Sequence, residues 1–167
     1  RPEDTMVPPN TKISGGYVNN VLAKSDAVAA GFDEAILLNQ AGYVCEGTGE
    51  NLFMIMGGKL VTPPLEDNIL PGITRSTVID IAWNEMRLNV EERHILRSEL
   101  YVADELFLTG TAAHLTPVGK LDNRSIGDSK MGSVTRELQR LYFEIVRGRN
   151  PKYRHWCTEA NPRTVKS

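Results

Sequence analysis

Apolar residues recur at three- and four-residue steps in three stretches of the chain and crowd into short unbroken runs elsewhere. Over residues 17–30, Val18, Val21, Leu22 and Ala29 keep the helical spacing, and Gly31 stands where a C-terminal cap belongs. Residues 73–86 repeat the spacing with Val78, Ile79, Ala82 and Met86. Residues 133–147 repeat it again with Val134, Leu138, Leu141, Tyr142, Ile145 and Val146. Between the first two helices the pattern predicts four strands, at 34–38, 43–46, 51–56 and 59–62. Turn signals part them at Asn39-Gln40-Ala41-Gly42, Gly47-Thr48-Gly49 and Gly57-Gly58, and Pro63-Pro64 ends the meander. A loop follows over 65–72. Further strands are expected at 90–95, 105–109 and 115–121, with Ser98 capping a short helix. Strands come in runs instead of alternating strictly with helices, so the expected class is α+β. Beyond Gly148 the chain is polar with isolated aromatics, and Trp156 is the expected anchor of a tail spanning 149–167.

Composition changes this picture little. The 167 residues are 41% hydrophobic and 24% charged, as in an ordinary globular protein with a real core. A net charge of -2 provides no basic face for nucleic acid. No apolar run approaches the length of a membrane span, so no membrane partner is expected. The two cysteines, Cys45 and Cys157, form no disulfide framework, which makes a reducing, cytoplasmic setting the expectation. His94, His114 and His155 are too scattered for a metal site, and none is expected. The chain opens on Arg1 and runs through Pro2, Pro8 and Pro9, so residues 1–11 read as an interdomain connection.

Three features carry candidate chemistry. Lys12-Ile13-Ser14-Gly15-Gly16-Tyr17 leads a lysine through two glycines into a helix. Glu46-Gly47-Thr48-Gly49-Glu50-Asn51 sets two carboxylates around a glycine loop between strands. Leu70-Pro71-Gly72-Ile73-Thr74 and Thr109-Gly110-Thr111-Ala112-Ala113 are rich in backbone donors, and the former opens a helix, whose first N–H groups lack partners. Taken singly, each has a plainer reading: a surface lysine, a hairpin turn, a common helix entry.

In this order, the four motifs resemble the fold-type IV pyridoxal-phosphate enzymes, and among them the branched-chain aminotransferases. The resemblance rests on Lys12, on Glu46-Gly47-Thr48-Gly49-Glu50-Asn51-Leu52-Phe53, on Leu70-Pro71-Gly72-Ile73-Thr74-Arg75, and on Thr109-Gly110-Thr111-Ala112-Ala113 with Thr116-Pro117-Val118. It runs from about Lys12 to Trp156. It implies a cofactor-binding large domain over 12–148, built of a mixed, barrel-like sheet with flanking helices. It also implies a pyridoxal 5'-phosphate cofactor, amino-acid and 2-oxo-acid substrates, and a homodimer or higher homo-oligomer.

The resemblance further implies roles for particular residues. Lys12 is the Schiff-base lysine and proton shuttle. Tyr17 bonds the ring oxygen, Glu46 faces the pyridine nitrogen, and Leu70 packs on the ring face. The N–H groups of Ile73 and Thr74, with the Thr111 hydroxyl, hold the phosphate. Thr111 and Ala112 amides meet the substrate carboxylate, and Glu50 organises the surroundings. His114 departs from the glutamate common at its position, and Cys45 is expected to point away from the cofactor. The small N-terminal domain of the family has no counterpart here. The expectation is therefore either a partial chain or one whose other half is separate. D-amino-acid aminotransferase, aminodeoxychorismate lyase and an inactive remnant of the same fold are the alternatives.

Overall fold

The computed structural model describes residues 1–158. Its centre is a mixed five-stranded sheet in the order β3-β2-β1-β4-β5. β1 (Asn51–Met56) and β2 (Lys59–Thr62) form an antiparallel hairpin across Gly57-Gly58, both at positive φ, where glycine carries no steric penalty. β3 (Val90–Glu92) lies parallel to β2, while β4 (Glu105–Gly110) and β5 (His114–Pro117) add antiparallel strands on the other side of β1. A small hairpin of β6 (Lys120–Leu121) and β7 (Arg124–Ser125) stands apart.

Both faces of the sheet are buried, which is why β1 reads as an unbroken apolar run. Phe53, Ile55, Leu60, Phe107 and Leu115 pack under α2 (Ile73–Asn84) and α4 (Ser133–Val146). Phe53 and Phe107 are register partners with rings stacked 5.2 Å apart. On the opposite face Leu52, Met54, Val61, Leu106 and Leu108 meet Val44, Ile95, Leu100 and Ile126, which come from loops and from the single turn α3 (Arg97–Leu100). The α+β class and the mixed sheet with flanking helices hold. Among the described residues no helix is long and apolar enough to cross a membrane.

Several local expectations are revised. The helix predicted over 17–30 is present as α1 (Tyr17–Ala29). It ends in paired bonds from Gly31 N to Val28 O and from Phe32 N to Ala27 O. Its face is reversed, however. Val18, Val21 and Leu22 are about 60% exposed, and the buried residue is Asn20, whose side chain donates to Thr48 O at 2.7 Å. Periodicity finds the helix, but one buried amide chooses its inner side. Residues 34–46 form an irregular hairpin held by Leu37 N to Glu46 O and Cys45 N to Leu37 O, both 2.8 Å, with only isolated bridges. Ser98 caps nothing; Leu96 occupies the cap position and the Glu99 carboxylate accepts from its N–H. The segment after Gly148 is anchored by buried Tyr153, bonded to Glu85 at 2.7 Å, and Trp156 remains 42% exposed. Residues 159–167 of the predicted tail lie outside the described residues.

Candidate active site

Antiparallel pairing of β1 with β4 puts Asn51 opposite Thr109, so the start of β1 and the end of β4 share one end of the sheet. Glu46 reaches that end through the glycine loop, and α2 begins there after the loop from Pro64. Three bonds join the pieces. Asn51 Nδ2 donates to Glu46 Oε2 (2.9 Å) and to Leu70 O (2.8 Å), and Leu70 N donates to Glu46 Oε2 (3.0 Å). Arg1 completes the arrangement with an ion pair to Glu46 Oε1 at 2.7 Å, both side chains at most 6% exposed.

Burial pushes the Glu46 carboxyl up to about 7, against the pull of Arg1 and of the Leu70 N–H. It is a buried carboxylate whose charge rests on its partners. Glu50 lies above the same loop, accepting from Gly49 N at 3.1 Å, and burial raises its carboxyl as well, reinforced by nearby Glu34. Cys45 is fully buried, which pushes its thiol up to about 12, so it stays protonated.

The remaining candidates lie on four other segments. Lys12 is exposed in the turn preceding α1 and has no hydrogen-bond or ion-pair partner among the described residues. Its neighbours Thr11 and Ile13 line a small cavity with Arg1, Pro9 and Tyr17, which places the lysine loop beside the Arg1–Glu46 pair. Tyr17 is half-buried at the start of α1, and Leu70 is half-buried above Glu46. Ile73 and Thr74 are the first residues of α2, which no side chain caps. Thr111 and Ala112 are exposed in the three-residue turn between β4 and β5. The turn closes on His114 at φ 54°, whose ring lies edge-on to Phe143 at 5.3 Å. Among the described residues no group of three or more His, Cys, Asp or Glu side chains could hold a metal ion.

An exposed amine, a phenol, a buried carboxylate, an uncapped helix N-terminus and a free threonine hydroxyl make a donor set of a particular kind. The family model for amino-transferase class IV matches residues 1–121. The chain belongs to the class IV aminotransferases. A "Probable branched-chain-amino-acid aminotransferase" of Aquifex aeolicus is 52% identical over 158 residues, which is 95% of this chain and 51% of that relative. The branched-chain-amino-acid aminotransferase of Pseudomonas aeruginosa is 44% identical, with 88% of this chain and 47% of the relative covered. The branched-chain amino acid aminotransferase from Thermobaculum terrenum, solved in its PLP-bound holo-form, superposes with a TM-score of 0.93. It is 43% identical, with 95% of this chain and 52% of that one covered. The chain spans about half the length of the curated relatives it matches.

Three participants escape a reading of the sequence alone. Asn51 sits inside a recognisable motif, five residues after Glu46, and that fixed spacing is the available signal. Asn20 is hidden within an apolar helix pattern, and Arg1 within a proline-rich entry. Gly72 has a steric reason to be glycine in this class IV chain: a Cβ there would stand 2.1 Å from Asn51 Oδ1. Gly72→Ala should therefore displace Asn51 and break its bonds to Glu46 and Leu70. The expected loss is about 1–3 kcal/mol of stability in a thermal melt. An unchanged melting curve would show that Asn51 can step aside freely.

Proposed function

We propose that this chain carries the cofactor-binding part of a branched-chain-amino-acid aminotransferase. The reaction moves an amino group between a branched-chain amino acid and 2-oxoglutarate, with pyridoxal 5'-phosphate as cofactor. The observation that carries the reading is Glu46: a buried carboxylate fixed by Arg1, Asn51 and Leu70 beside the open start of α2. A carboxylate so placed suits the ring nitrogen of the cofactor. When bound, pyridoxal phosphate supplies an aldehyde that receives the amino group and a ring that withdraws electrons from the substrate Cα.

The chain's own residues do the rest. The Lys12 Nζ holds the cofactor and then moves the proton at the substrate Cα as base and acid in turn. Glu46 keeps a proton on the ring nitrogen, Tyr17 bonds the ring oxygen through its phenol, and Leu70 covers one ring face. Ile73 and Thr74 offer unpaired N–H groups at the α2 N-terminus, where the helix dipole favours an anion, and Thr111 adds its hydroxyl. Thr111 and Ala112 present amides to the substrate carboxylate, and Glu50 steadies the glycine loop. A homodimer or higher homo-oligomer belongs to this reading, supported by the exposed apolar row of Val18, Val21 and Leu22 on α1. So does a cytoplasmic setting, supported by two unpaired cysteines.

The test is the visible absorption of the chain loaded with pyridoxal phosphate, recorded after adding leucine, D-alanine or aminodeoxychorismate. Leucine should shift the cofactor band and the other two should not. A response to D-alanine or aminodeoxychorismate alone would move the chain to another activity of the same fold. No band at all would leave it a non-catalytic remnant.

A further inference from the structure

Arg1 is held in a way that a linker residue would not require. Its Nε donates to Asn68 O (3.1 Å), Nη1 to Asn20 Oδ1 (3.4 Å) and Nη2 to Pro9 O (3.4 Å), and Nη2 also pairs with Glu46 Oε1 at 2.7 Å. Its backbone nitrogen donates to Leu38 O at 2.7 Å. One guanidinium thus ties the lysine loop, α1, the loop before α2 and the site carboxylate together. A planar fork of five N–H donors suits this task, and a lysine ammonium does not.

The carboxylate itself is nearly saturated. A carboxylate offers about four acceptor positions. Asn51 Nδ2 and Leu70 N fill Oε2, and Arg1 takes one position of Oε1. One acceptor position remains, on the oxygen that Arg1 holds. We propose that Arg1 is a positioning residue for Glu46, which turns that last lone pair toward the ring nitrogen and keeps the proton they share on the nitrogen. The assignment rests on the reading of Glu46 as the ring-nitrogen partner.

The physical reason is distance. Arg1 lies closer to the carboxylate than to any atom beyond it, so its charge favours the form with carboxylate negative and ring nitrogen positive over the form with both neutral. Without it, a carboxyl so buried would hold the proton itself. The titratable groups on the elements packed around Glu46 are few. They are the Arg1 guanidinium on the N-terminal segment, Glu50 on the glycine loop, Asp67 before α2 and the thiol of Cys45. The Arg1 guanidinium favours ionised Glu46, while Glu50 opposes it. Asp67 is occupied by His94 Nδ1 (2.9 Å) and Asn39 Nδ2 (3.0 Å).

The experiment titrates Glu46 by carbon-13 NMR in the cofactor-free chain, with the resonance assigned through Glu46→Gln. The original chain is compared with Arg1→Lys, Arg1→Met and Arg1→Gln. The neutral variants should move the Glu46 midpoint up by about one pH unit or more, and Arg1→Lys should recover part of the difference. Should Arg1→Met fail to fold, Arg1→Gln, which keeps hydrogen-bond donors without the charge, gives the same reading. A folded neutral variant with an unmoved midpoint overturns the proposal. In parallel, nitrogen-15 pyridoxal phosphate is bound to each chain. The ring-nitrogen resonance should indicate a protonated ring with Arg1 and a neutral one without it. A ring nitrogen insensitive to Glu46→Gln would sink the cofactor reading while leaving the Arg1–Glu46 coupling intact, so the two failures are separable.

Discussion

Replacing Lys12 by alanine is expected to lower transamination by about 10⁴-fold while leaving the fold untouched. The rate loss follows from removing the group proposed to move the proton at the substrate Cα, for which a positioned side chain contributes up to about four orders of magnitude. The intact fold follows from exposure: Lys12 has no partner among the described residues, and changes at such positions shift stability by about 0.5 kcal/mol or less. Borohydride reduction of the loaded chain, followed by peptide mapping, should place the pyridoxyl group on the peptide containing Lys12. A label on Lys24, Lys59 or any other lysine peptide would remove Lys12 from the chemistry.

Glu46→Gln is the second substitution with a large effect. An amide cannot keep a proton on the ring nitrogen, so turnover should fall by about two orders of magnitude or more while the cofactor still binds. Stability offers a second readout. The Glu46 carboxyl sits at about 7 in the folded chain, above its ordinary 4.5. A raised acid means that the native state binds more protons than the unfolded state between those values. Stability therefore falls as pH rises through that window, and the loss is complete above it. The difference of about 2.5 pH units corresponds to roughly 3 kcal/mol. Denaturant unfolding of the cofactor-free chain from pH 5 to 8 should show this decline, and Glu46→Gln should flatten it. Parallel slopes in the two proteins would mean that some other group titrates.

Much of this was legible in the sequence where local rules and global packing agree. β1 and β2 kept their expected bounds because a Gly-Gly turn fixed the hairpin register and both strands are apolar on nearly every buried position. The helix face of α1 misled because Val18, Val21 and Leu22 keep helical spacing yet look outward, while Asn20 is drawn in by Thr48 O and Arg1. Residues 34–46 carry strand-like composition, but their hydrogen bonds go to one another in an irregular hairpin, which no period-two pattern distinguishes from a true ladder. In the candidate site, the motifs named the residues whose roles are proposed above. Their holders were not so named, since an arginine at residue 1 bonds partners 8, 19, 45 and 67 positions away, and no local spacing encodes such contacts.

The central place of β1 divides the site by local stability. β1 is hydrogen-bonded on both edges, to β2 and β4, so its amides are expected at the most protected end of hydrogen exchange. Asn51, which braces Glu46, sits on that strand. Lys12 sits at the other extreme, between a proline-rich segment without regular structure and the first turn of α1. A sub-global opening that breaks only the Arg1 bonds would release the amine and leave the carboxylate, the α2 N-terminus and the β4 end in place. The proposed Schiff-base lysine can therefore fray and reseat on a frame held by the sheet.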